Sequence, residues 1–249
     1  MKISVTILTK NSQKYLHEVL RSLAAFDEVV IYDTGSTDAT LDIAQSYPNV
    51  VIFERPFEGF GPSHNKATDL AKNDWILSID SDEIVTETML NEIFKTPLNT
   101  QTVYSFPREN LYNRKVIRGC GWYPDRQYRL YNRTKTKFSD AQVHEQVITR
   151  DMQIVEMQYP IRHYSYNSIS DFLTKMQLYS DLFAKQNTGK RKASVLTAIG
   201  HGSFAFFKSY FLKKGFLDGY EGYIISKYNG HTAFYKYLKL REANLRKGS

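Results

Sequence analysis

The sequence predicts an α/β fold followed by a helical C-terminal segment. Over residues 1–100, apolar runs of strand length alternate with runs whose apolar residues have helical spacing. Acidic residues follow two of the predicted strands, and helical periodicity returns after residue 165. Strands that alternate with helices form a parallel sheet, which binds ligands at the carboxyl ends of its strands.

The elements of this α/β region follow one another at short intervals. The predicted strands are residues 3–9, 29–32, 50–53 and 75–79. The predicted helices are residues 15–25, a helix that follows a cap at Ser36 or Thr37 and runs through Leu41, Ile43 and Ala44, and residues 63–72. Residues 100–164 consist of short extended pieces without helical periodicity, which predicts a mixed or antiparallel extension of the same sheet. We therefore expect a catalytic domain over residues 1–165, with a nucleotide-binding half (1–100) and an acceptor half (101–165).

The C-terminal region carries the positive charge of the chain. The 249 residues have a net charge of +7, yet residues 171–249 contain 14 basic and 5 acidic residues. Predicted helices at residues 169–186, 194–213 and 220–245 make 166–249 a basic helical extension. Lysines alternate there with aromatic residues, a pattern typical of an anionic membrane interface. The alternative is a helix pair with an aromatic core and solvated lysines.

Two features bear on the compartment. The single cysteine, Cys120, excludes an internal disulfide and favours a reducing cytoplasm. No apolar run has the length or composition of a signal peptide or a transmembrane helix. We expect a cytoplasmic protein, peripheral on the inner face of the cytoplasmic membrane.

Asp33 begins the segment DTGSTDAT directly after the second predicted strand. A carboxylate at the end of such a strand can accept hydrogen bonds from a nucleotide base or ribose. The alternative is an ordinary turn in which Ser36 or Thr37 caps the next helix. The residues alone leave both interpretations open.

An acidic cluster ends the fourth predicted strand. Asp80 and Asp82 lie two residues apart, so that both side chains can face the same side, and Glu83 follows. Hard carboxylate oxygens suit Mg²⁺ or Mn²⁺ that holds a diphosphate. The alternative is a solvated acidic turn, and the apolar strand before the cluster favours the metal site.

Polar residues with catalytic chemistry recur in the extended region. Glu145 follows His144 in AQVHEQV, and His163 lies in RHYSY. A carboxylate can act as a general base and an imidazole can complete a metal site, although each residue alone is more often structural.

The stretch GCGWYPDRQYRLYNR contains residues suited to sugars and phosphates. Trp122 can stack on a sugar face, and Arg126 and Arg129 can pair with phosphates. The alternative is a structural hairpin with a pair between an arginine and Asp125.

In order along the chain, ISVTILTKN, DTGSTDAT, GFGPSHNKA and IDSDE resemble the family 2 glycosyltransferases. The later segments GCGWYPDRQYRLYNR, VHEQV, IRHYSY and FFKSYFLKKGFLDG resemble the bacterial lipopolysaccharide core-biosynthesis subgroup, which includes inner-core β-1,4-glucosyltransferases. The resemblance covers nearly the whole chain and implies a GT-A fold, a Rossmann-like mixed sheet flanked by helices. Ser12 departs from the family, which usually has an acidic residue after the Asn that precedes it.

The resemblance implies a donor site. Thr9 and Asp33 would contact the base or ribose, Asn65 and Lys66 would approach the donor, and Asp80 would lie near the ribose and diphosphate.

The resemblance also implies the reacting groups. Asp82 would be the main ligand of Mn²⁺ or Mg²⁺ and His163 would join it, while Glu145 would be the catalytic base, with Asp125 as the alternative base. Arg126 and Arg129 would bind diphosphate or an anionic acceptor.

The expected activity is metal-dependent, inverting transfer of a hexose, glucose above all, from a UDP-sugar or other nucleotide-sugar to a saccharide or glycolipid acceptor. The lipopolysaccharide inner core is the first expectation, and another surface polysaccharide, a glycolipid or a protein is the alternative. A nucleotidyltransferase would use the same carboxylates. A nucleic-acid-binding module would use the basic C-terminal region, but the acidic strand end favours the enzyme, and no nucleic-acid partner is expected.

Overall fold

The structure is a computed structural model that describes residues 2–141 and 145–247. The strands are β1 (Ile3–Thr9), β2 (Glu28–Asp33), β3 (Val50–Glu54), β4 (Trp75–Asp80), β5 (Glu83–Val85), β6 (Thr102–Tyr112), β7 (Lys115–Val116), β8 (Asp125–Asn132), β9 (Gln153–Glu156) and β10 (Ile161–Tyr166). The helices are α1 (Gln13–Ser22), α2 (Thr40–Gln45), α3 (Phe60–Asp69), α4 (Glu87–Lys95), α5 (Ile169–Asn187), α6 (Val195–Phe207) and α7 (Gly219–Lys247). A π-helical turn (Lys208–Leu212) and a 3₁₀ turn (Gly215–Asp218) lie between α6 and α7.

The described strands form one mixed sheet in the order β3-β2-β1-β4-β8-β6-β10-β5, with β7 and β9 paired to β6. The strands β3, β2, β1 and β4 are parallel, and β8 and β6 continue the sheet in antiparallel pairing. The expected α/β class with an antiparallel extension is confirmed. Because β1, β2 and β4 are parallel neighbours, their carboxyl ends meet at one edge.

The described residues form two compact units. The first comprises those within Met1–Arg108 and Asp125–His163, and the second comprises those within Glu109–Pro124 and Tyr164–Ser249.

The core of the first unit lies between the parallel strands and α1. The helix buries Leu16, Val19 and Leu20 at helical spacing against the buried apolar residues of β1 and β2. Strand β2 is buried along its whole length, as expected for a central parallel strand. This packing fixes the ends of the strands that carry the candidate site.

Helices dominate the second unit, where α5 and α6 both pack on α7. The helices α6 and α7 approach closely at two glycines, since a Cβ on Gly202 would lie 3.1 Å from the Gly230 carbonyl oxygen. No helix within the described residues has the length and apolar composition needed to cross a membrane.

Candidate active site

Asp33 is buried at the carboxyl end of β2, beside Thr9 at the end of β1. Its carboxylate accepts hydrogen bonds from Thr9 Oγ1 (2.8 Å), Ser36 Oγ (2.5 Å) and the backbone nitrogens of Gly35 and Ser36 (2.9 and 2.8 Å). Burial alone would raise the pKa of Asp33, but these hydrogen bonds outweigh burial and lower it. The carboxylate is therefore ionised at neutral pH and rigidly held.

The turn after Asp33 differs from the expected helix cap. Ser36 binds Asp33, and α2 begins after Ala39 without a side-chain cap. The expected cap from Ser36 or Thr37 is therefore wrong. The hydroxyl of Ser36 donates to the Asp33 carboxylate and does not accept a hydrogen bond from the backbone of the helix.

A cavity of about 400 Å³ opens beside these strand ends. The cavity is lined by Leu8, Thr9, Lys10, Ser12, Thr34, Phe57, Phe60 and Ser81. The rings of Phe57 and Phe60 are about half exposed and lie 5.1 Å apart, nearly perpendicular to each other. Exposed aromatic rings can stack on a flat face of a ligand, while the polar strand end beside them binds the ligand's polar edge.

The acidic cluster after β4 is neutralised by arginines. Arg129 Nη2, on β8, lies 2.6 Å from Asp80 Oδ2 and 2.6 Å from Glu83 Oε1. Arg108 Nη1 lies 3.4 Å from the same Glu83 oxygen. Burial alone would raise the pKa of Asp80, but the Arg129 charge lowers it far below its usual range. Two residues expected to have separate roles, Asp80 and Arg129, are thus partners.

Asp82 points to a different partner. Its Oδ2 lies 3.4 Å from His163 Nε2, which β10 brings beside β5 through pairing of His163 with Glu83. The Asp82 side chain is 37% exposed and that of His163 is 16% exposed, so both can reach a ligand.

The pair of Asp82 and His163 supplies only part of the ligand set of a divalent cation. Among the described residues, no group of three or more His, Cys, Asp or Glu side chains could hold a metal ion. A carboxylate and an imidazole nevertheless form a partial donor set of a kind that Mn²⁺ accepts, and a cation that also holds a diphosphate takes its remaining ligands from phosphate and water. Asp82 and His163 fit a cation shared with a ligand, not a closed protein site.

Glu145 lies in a pocket of about 160 Å³ that brings several expected residues together. The pocket is lined by Asp80, Arg108, Arg126, Gln127, Tyr128, Arg129, Phe138, Glu145, Gln146 and Val147. The Glu145 side chain is 21% exposed, and its Oε1 lies 3.9 Å from Nε2 of His64. The pocket therefore combines a partly exposed carboxylate with three arginines, each of which also pairs with a carboxylate.

His64 is buried on α3 against the same pocket. Its ring stacks on Phe138 at 4.4 Å, and Nδ1 lies 3.3 Å from Ser78 Oγ. Burial lowers the pKa of His64 to about 4, although the Asp80 charge acts in the opposite direction. The imidazole is neutral at pH 7, and therefore adds no positive charge beside Glu145.

Asn65 holds the backbone near Glu145. Its amide donates to the carbonyl oxygen of Phe138 (3.0 Å) and accepts from the Phe138 nitrogen (2.9 Å). Phe138 pairs in turn with Val147 across a narrow hairpin. Glu145 lies on the returning arm of this hairpin, while His144 and Val143 of the VHEQV segment lie outside the described residues.

The remaining expected residues of the first unit also have partners. Lys66 pairs with Glu58, and this hydrogen bond raises the pKa of Lys66. Asp125 accepts from Arg108, with Nη2 2.7 Å away. Arg126 lies 3.2 Å from Glu156 and donates to the Met157 carbonyl oxygen (3.1 Å).

Trp122 is the one expected site residue that belongs to the second unit. Its ring stacks on Tyr166 at 5.4 Å and also approaches Phe172. The side chain is half-buried, so that one part packs internally and the rest remains accessible.

Comparison with known proteins identifies the family. The family model described as glycosyl transferase family 2 matches residues 4–154, more than half of the chain. The chain belongs to this family. It is therefore a glycosyltransferase, as expected from its motifs.

Relatives of this family 2 glycosyltransferase extend beyond the matched domain. A glycosyltransferase of Rickettsia bellii is 29% identical over 98% of this chain and 87% of its own length. The lipopolysaccharide core biosynthesis glycosyltransferase LpsC of Rhizobium meliloti is 26% identical over 77% of this chain and 74% of its own length.

A solved structure supports the fold of this glycosyltransferase. The crystal structure of Staphylococcus aureus TarS residues 1–349 in complex with UDP aligns with a TM-score of 0.50 and 19% identity, covering 100% of this chain and 92% of that one. The expected GT-A fold is confirmed.

Several residues of this glycosyltransferase's candidate site were missed at the level of sequence. Phe57, Phe60, His64 and Arg108 all line or adjoin the two pockets. The sequence offers one indication for His64, because it directly precedes Asn65, a residue with an expected role at the donor. Arg108 lies in a strand without a distinctive motif, and only its pairing with Asp125 and Glu83 reveals it.

Proposed function

We propose that the chain is an inverting transferase that moves a hexose, glucose in the first instance, from a UDP-sugar to a saccharide of the lipopolysaccharide inner core. The observation that carries the proposal is the placement of Asp33, Asp82 and Glu145 in one unit, beside two pockets at the carboxyl edge of the sheet. The relation to a lipopolysaccharide core glycosyltransferase and the alignment with TarS, solved with UDP, support the acceptor class and the donor.

The donor base is proposed to lie in the cavity beside Asp33. Thr9, which donates to the buried carboxylate of Asp33, lies at its polar end, and Phe57 and Phe60 offer the base an aromatic surface. Asp33 already holds four donors, so the base would share or displace the Ser36 hydroxyl. Asn65 and Lys66 are proposed to act at the donor side through the hairpin and through Glu58, respectively.

Asp82 and His163 are proposed to hold Mn²⁺ or Mg²⁺ together with the diphosphate. Such a cation acts as a Lewis acid that stabilises the charge of the leaving group. An imidazole ligand favours Mn²⁺, since Mg²⁺ prefers oxygen ligands. Asp80, held by Arg129, is proposed to lie beside the ribose and diphosphate rather than to bind the cation directly.

Glu145 is proposed to remove the proton of the attacking acceptor hydroxyl. When Ser78 donates to Nδ1 of His64, the ring proton lies on Nε2 and faces the Glu145 carboxylate. In this tautomer the imidazole orients the carboxylate of Glu145. Attack from the face opposite the leaving group inverts the anomeric carbon and needs no covalent enzyme intermediate. Asp125 is the weaker candidate base because its carboxylate is already paired with Arg108.

Arg126 or Arg129 is proposed to face anionic groups of the acceptor, and Trp122, in the second unit, is proposed separately to stack on a sugar face. A glycolipid acceptor would place the enzyme in the cytoplasm, peripheral on the inner face of the cytoplasmic membrane. In this proposal residues 1–165 form the catalytic domain and 166–249 a basic helical extension.

A second acceptor class has its own support. A segment of 103 residues is 38% identical to TarS of Staphylococcus aureus, a poly(ribitol-phosphate) β-N-acetylglucosaminyltransferase. The segment makes up 37% of this chain and 18% of that protein. A phosphate-rich surface polysaccharide is therefore the second candidate acceptor, and GlcNAc the second candidate sugar.

A donor screen tests the proposal. The purified chain is incubated with Mn²⁺ and individual UDP-, GDP- and ADP-sugars, and saturation binding and release of the nucleoside diphosphate are measured. We expect UDP release from UDP-glucose, and stimulation by Mn²⁺ that Asp82→Asn abolishes. No response to any donor would overturn the proposal, and release of inorganic diphosphate would indicate a nucleotidyltransferase.

The same assay tests the base. Glu145→Gln should lower kcat about a hundredfold or more while donor binding is retained. Glu87→Gln, on the exposed first turn of α4, is the matched control and should retain wild-type turnover. Unchanged turnover in the Glu145 variant would shift the role to Asp125.

A further inference from the structure

Helix α6 exposes an apolar face that the rest of its unit does not cover. The exposed side chains on this face are Val195 (48%), Leu196 (80%), Ile199 (49%), Phe204 (58%) and Phe207 (49%). The opposite face is buried, with Ala198 and Gly202 packed inward. The exposed face carries no charged residue over the 13 residues of the helix.

The apolar surface continues past the end of α6. In the π-helical turn and the 3₁₀ turn, Phe211, Leu212, Phe216 and Leu217 are 48% to 70% exposed. Phe206 and Tyr210 point differently, since they stack on each other and approach Tyr223 of α7. The aromatic residues of this region therefore divide into an internal set and an exposed set, which combines the two interpretations that the sequence left open.

Cations flank this face at both ends. Lys190, Arg191 and Lys192 precede α6, and Lys208, Lys213 and Lys214 follow it, all six exposed. The 36 residues between Asp181 and Asp218 contain seven basic and no acidic residues. An apolar face framed only by cations matches the interface of an anionic bilayer, in which acyl chains lie beneath negatively charged head groups.

A groove of about 390 Å³ lies between α6 and α7 beside this face. Ile199, Phe206 and Phe234 are among its apolar lining residues, and Lys227 and His231 stand at its polar side. A groove with apolar walls and a lysine at its edge fits an acyl chain and its phosphate head better than a polar ligand.

A second copy of the chain fits this surface less well. In a symmetric pair built on α6, the cations at each end of the helix would meet the cations of the other copy. Like charges brought together in this way repel, whereas an anionic surface attracts both clusters.

We infer that α6 binds in the plane of an anionic membrane, with its apolar face inserted at the level of the head groups and the two cationic clusters on lipid phosphates. This inference deepens the proposed membrane location of the enzyme. It assigns the contact to one helix and its flanking turns, and it requires no spanning segment.

Vesicle binding tests the inference. Flotation of the full chain is compared between vesicles of phosphatidylcholine and an equimolar mixture of phosphatidylcholine and phosphatidylglycerol. We expect binding to the mixture that weakens with salt. Replacing Lys208, Lys213 and Lys214 by glutamine should weaken it about a hundredfold, at roughly 1 kcal/mol for each cation.

A second variant tests insertion. Leu196→Ser, Phe204→Ser and Phe207→Ser together should weaken binding to the mixed vesicles at least tenfold, because each removes apolar contact with the bilayer. The matched control replaces Val51 and Ile154, which are 39% and 47% exposed in the first unit, by serine and should bind as the wild type does.

Two further measurements make the outcome decisive. In the Phe204→Trp variant, brominated lipid in the mixed vesicles should quench the fluorescence of the introduced tryptophan. Binding that survives the serine variant, or a bound tryptophan that is not quenched, would show adsorption without insertion and overturn the inference. A wild-type dimer that fails to bind vesicles and dissociates in the serine variant would assign the face to a second copy.

The test separates this inference from the proposed transferase. UDP-glucose binding in solution is measured on each preparation, and a thermal melt verifies folding. Loss of vesicle binding with retained donor binding concerns the helix face alone. Vesicle binding without any donor binding would instead count against the transferase.

Discussion

Glu145 lies beside an imidazole, that of His64, which carries no charge at neutral pH. His64 is almost fully buried, stacked on Phe138 and within reach of Ser78. Since its pKa is lowered by burial, protonation would place a cation in an apolar site beside Arg129. Acid should therefore act on the stability of the site through this imidazole.

The stability of the chain should depend on pH through His64. Its pKa is about 4 in the fold and 6.5 as the ordinary value, so between these values the unfolded chain binds more protons. The free energy of unfolding therefore falls as pH drops from 6.5 to 4, by as much as about 3 kcal/mol from this residue. His64→Gln should remove that component, measured by denaturant unfolding at several pH values.

The control for this experiment is His17→Gln, at an exposed position on α1. It should retain the wild-type dependence on pH. If His64→Gln and the wild type lose stability in parallel between pH 6.5 and 4, the imidazole is not the group that titrates.

Individual residues differ in how far the sequence predicts their roles. Asp33 and Asp82 follow apolar strands, and a parallel sheet necessarily brings such positions to one edge. The partner of Asp80 was not predictable, because Arg129 reaches it from a strand 49 residues later in the chain. The burial of His64 likewise depends on stacking with Phe138, a contact between distant parts of the chain that no local pattern predicts.

At the scale of elements, α3 and the hairpin that carries Glu145 fit together through a glycine. A Cβ on Gly61 would lie 1.9 Å from the carbonyl oxygen of Ser139, and the Gly61 nitrogen donates to Ala141. Asn65 holds Phe138 one turn further along the helix. The first turns of α3 therefore support the hairpin from its base.

Gly61→Ala should separate these two elements. The added methyl overlaps a backbone oxygen that cannot rotate away, so the free energy of unfolding should fall by about 1–3 kcal/mol. Since the hairpin positions Glu145, kcat should fall more than donor affinity. Thermal unfolding and steady-state kinetics measure the two effects.

A helix glycine with open space provides the comparison. A Cβ on Gly200 in α6 would meet nothing within 4 Å. Gly200→Ala should be neutral or stabilise the fold by about 0.5–1 kcal/mol, because alanine has the higher helix propensity. Equal effects of the two substitutions would contradict the role assigned to Gly61.

Element boundaries were predicted with uneven success for physical reasons. The sequence predicts the third helix over residues 63–72, whereas α3 spans Phe60–Asp69, because Pro62 is compatible with a first helical turn. Strand β5 has three residues, too few for periodicity to reveal, and its pairing with β10 is long-range. Helix α5 spans Ile169–Asn187, close to the predicted 169–186, because its Ser168 capping box marks the start.

At the scale of the whole molecule, the chain passes between its two units more than once. Residues 109–124 belong with the C-terminal helices, and Gly119 donates to Asp218 across 99 residues of sequence. Periodicity and composition describe local segments. They therefore predict the helical C-terminal region, but not that residues 109–124 form one compact unit with it.

Donor binding should stabilise the two units unequally. The proposed contacts of UDP lie in the first unit, and at about a hundredfold excess over Kd a ligand adds about 2.7 kcal/mol to the unit that binds it. Calorimetry should therefore show the unfolding of the first unit shifted upward by UDP. The shift should be lost in Asp33→Asn and retained in Glu87→Gln, and equal shifts of all unfolding in both variants would contradict the site.

The charge cluster of Arg129, Asp80 and Glu83 limits the substitutions that this enzyme can accept during evolution. A descendant that loses Arg129 keeps only the more distant Arg108 beside the two carboxylates, and one that loses either carboxylate alters the balance that holds Arg129. Each single step passes through a less stable protein. Lineages that acquire new donors would therefore change exposed residues of the neighbouring cavity, such as Phe57 and Phe60, and retain the cluster unchanged.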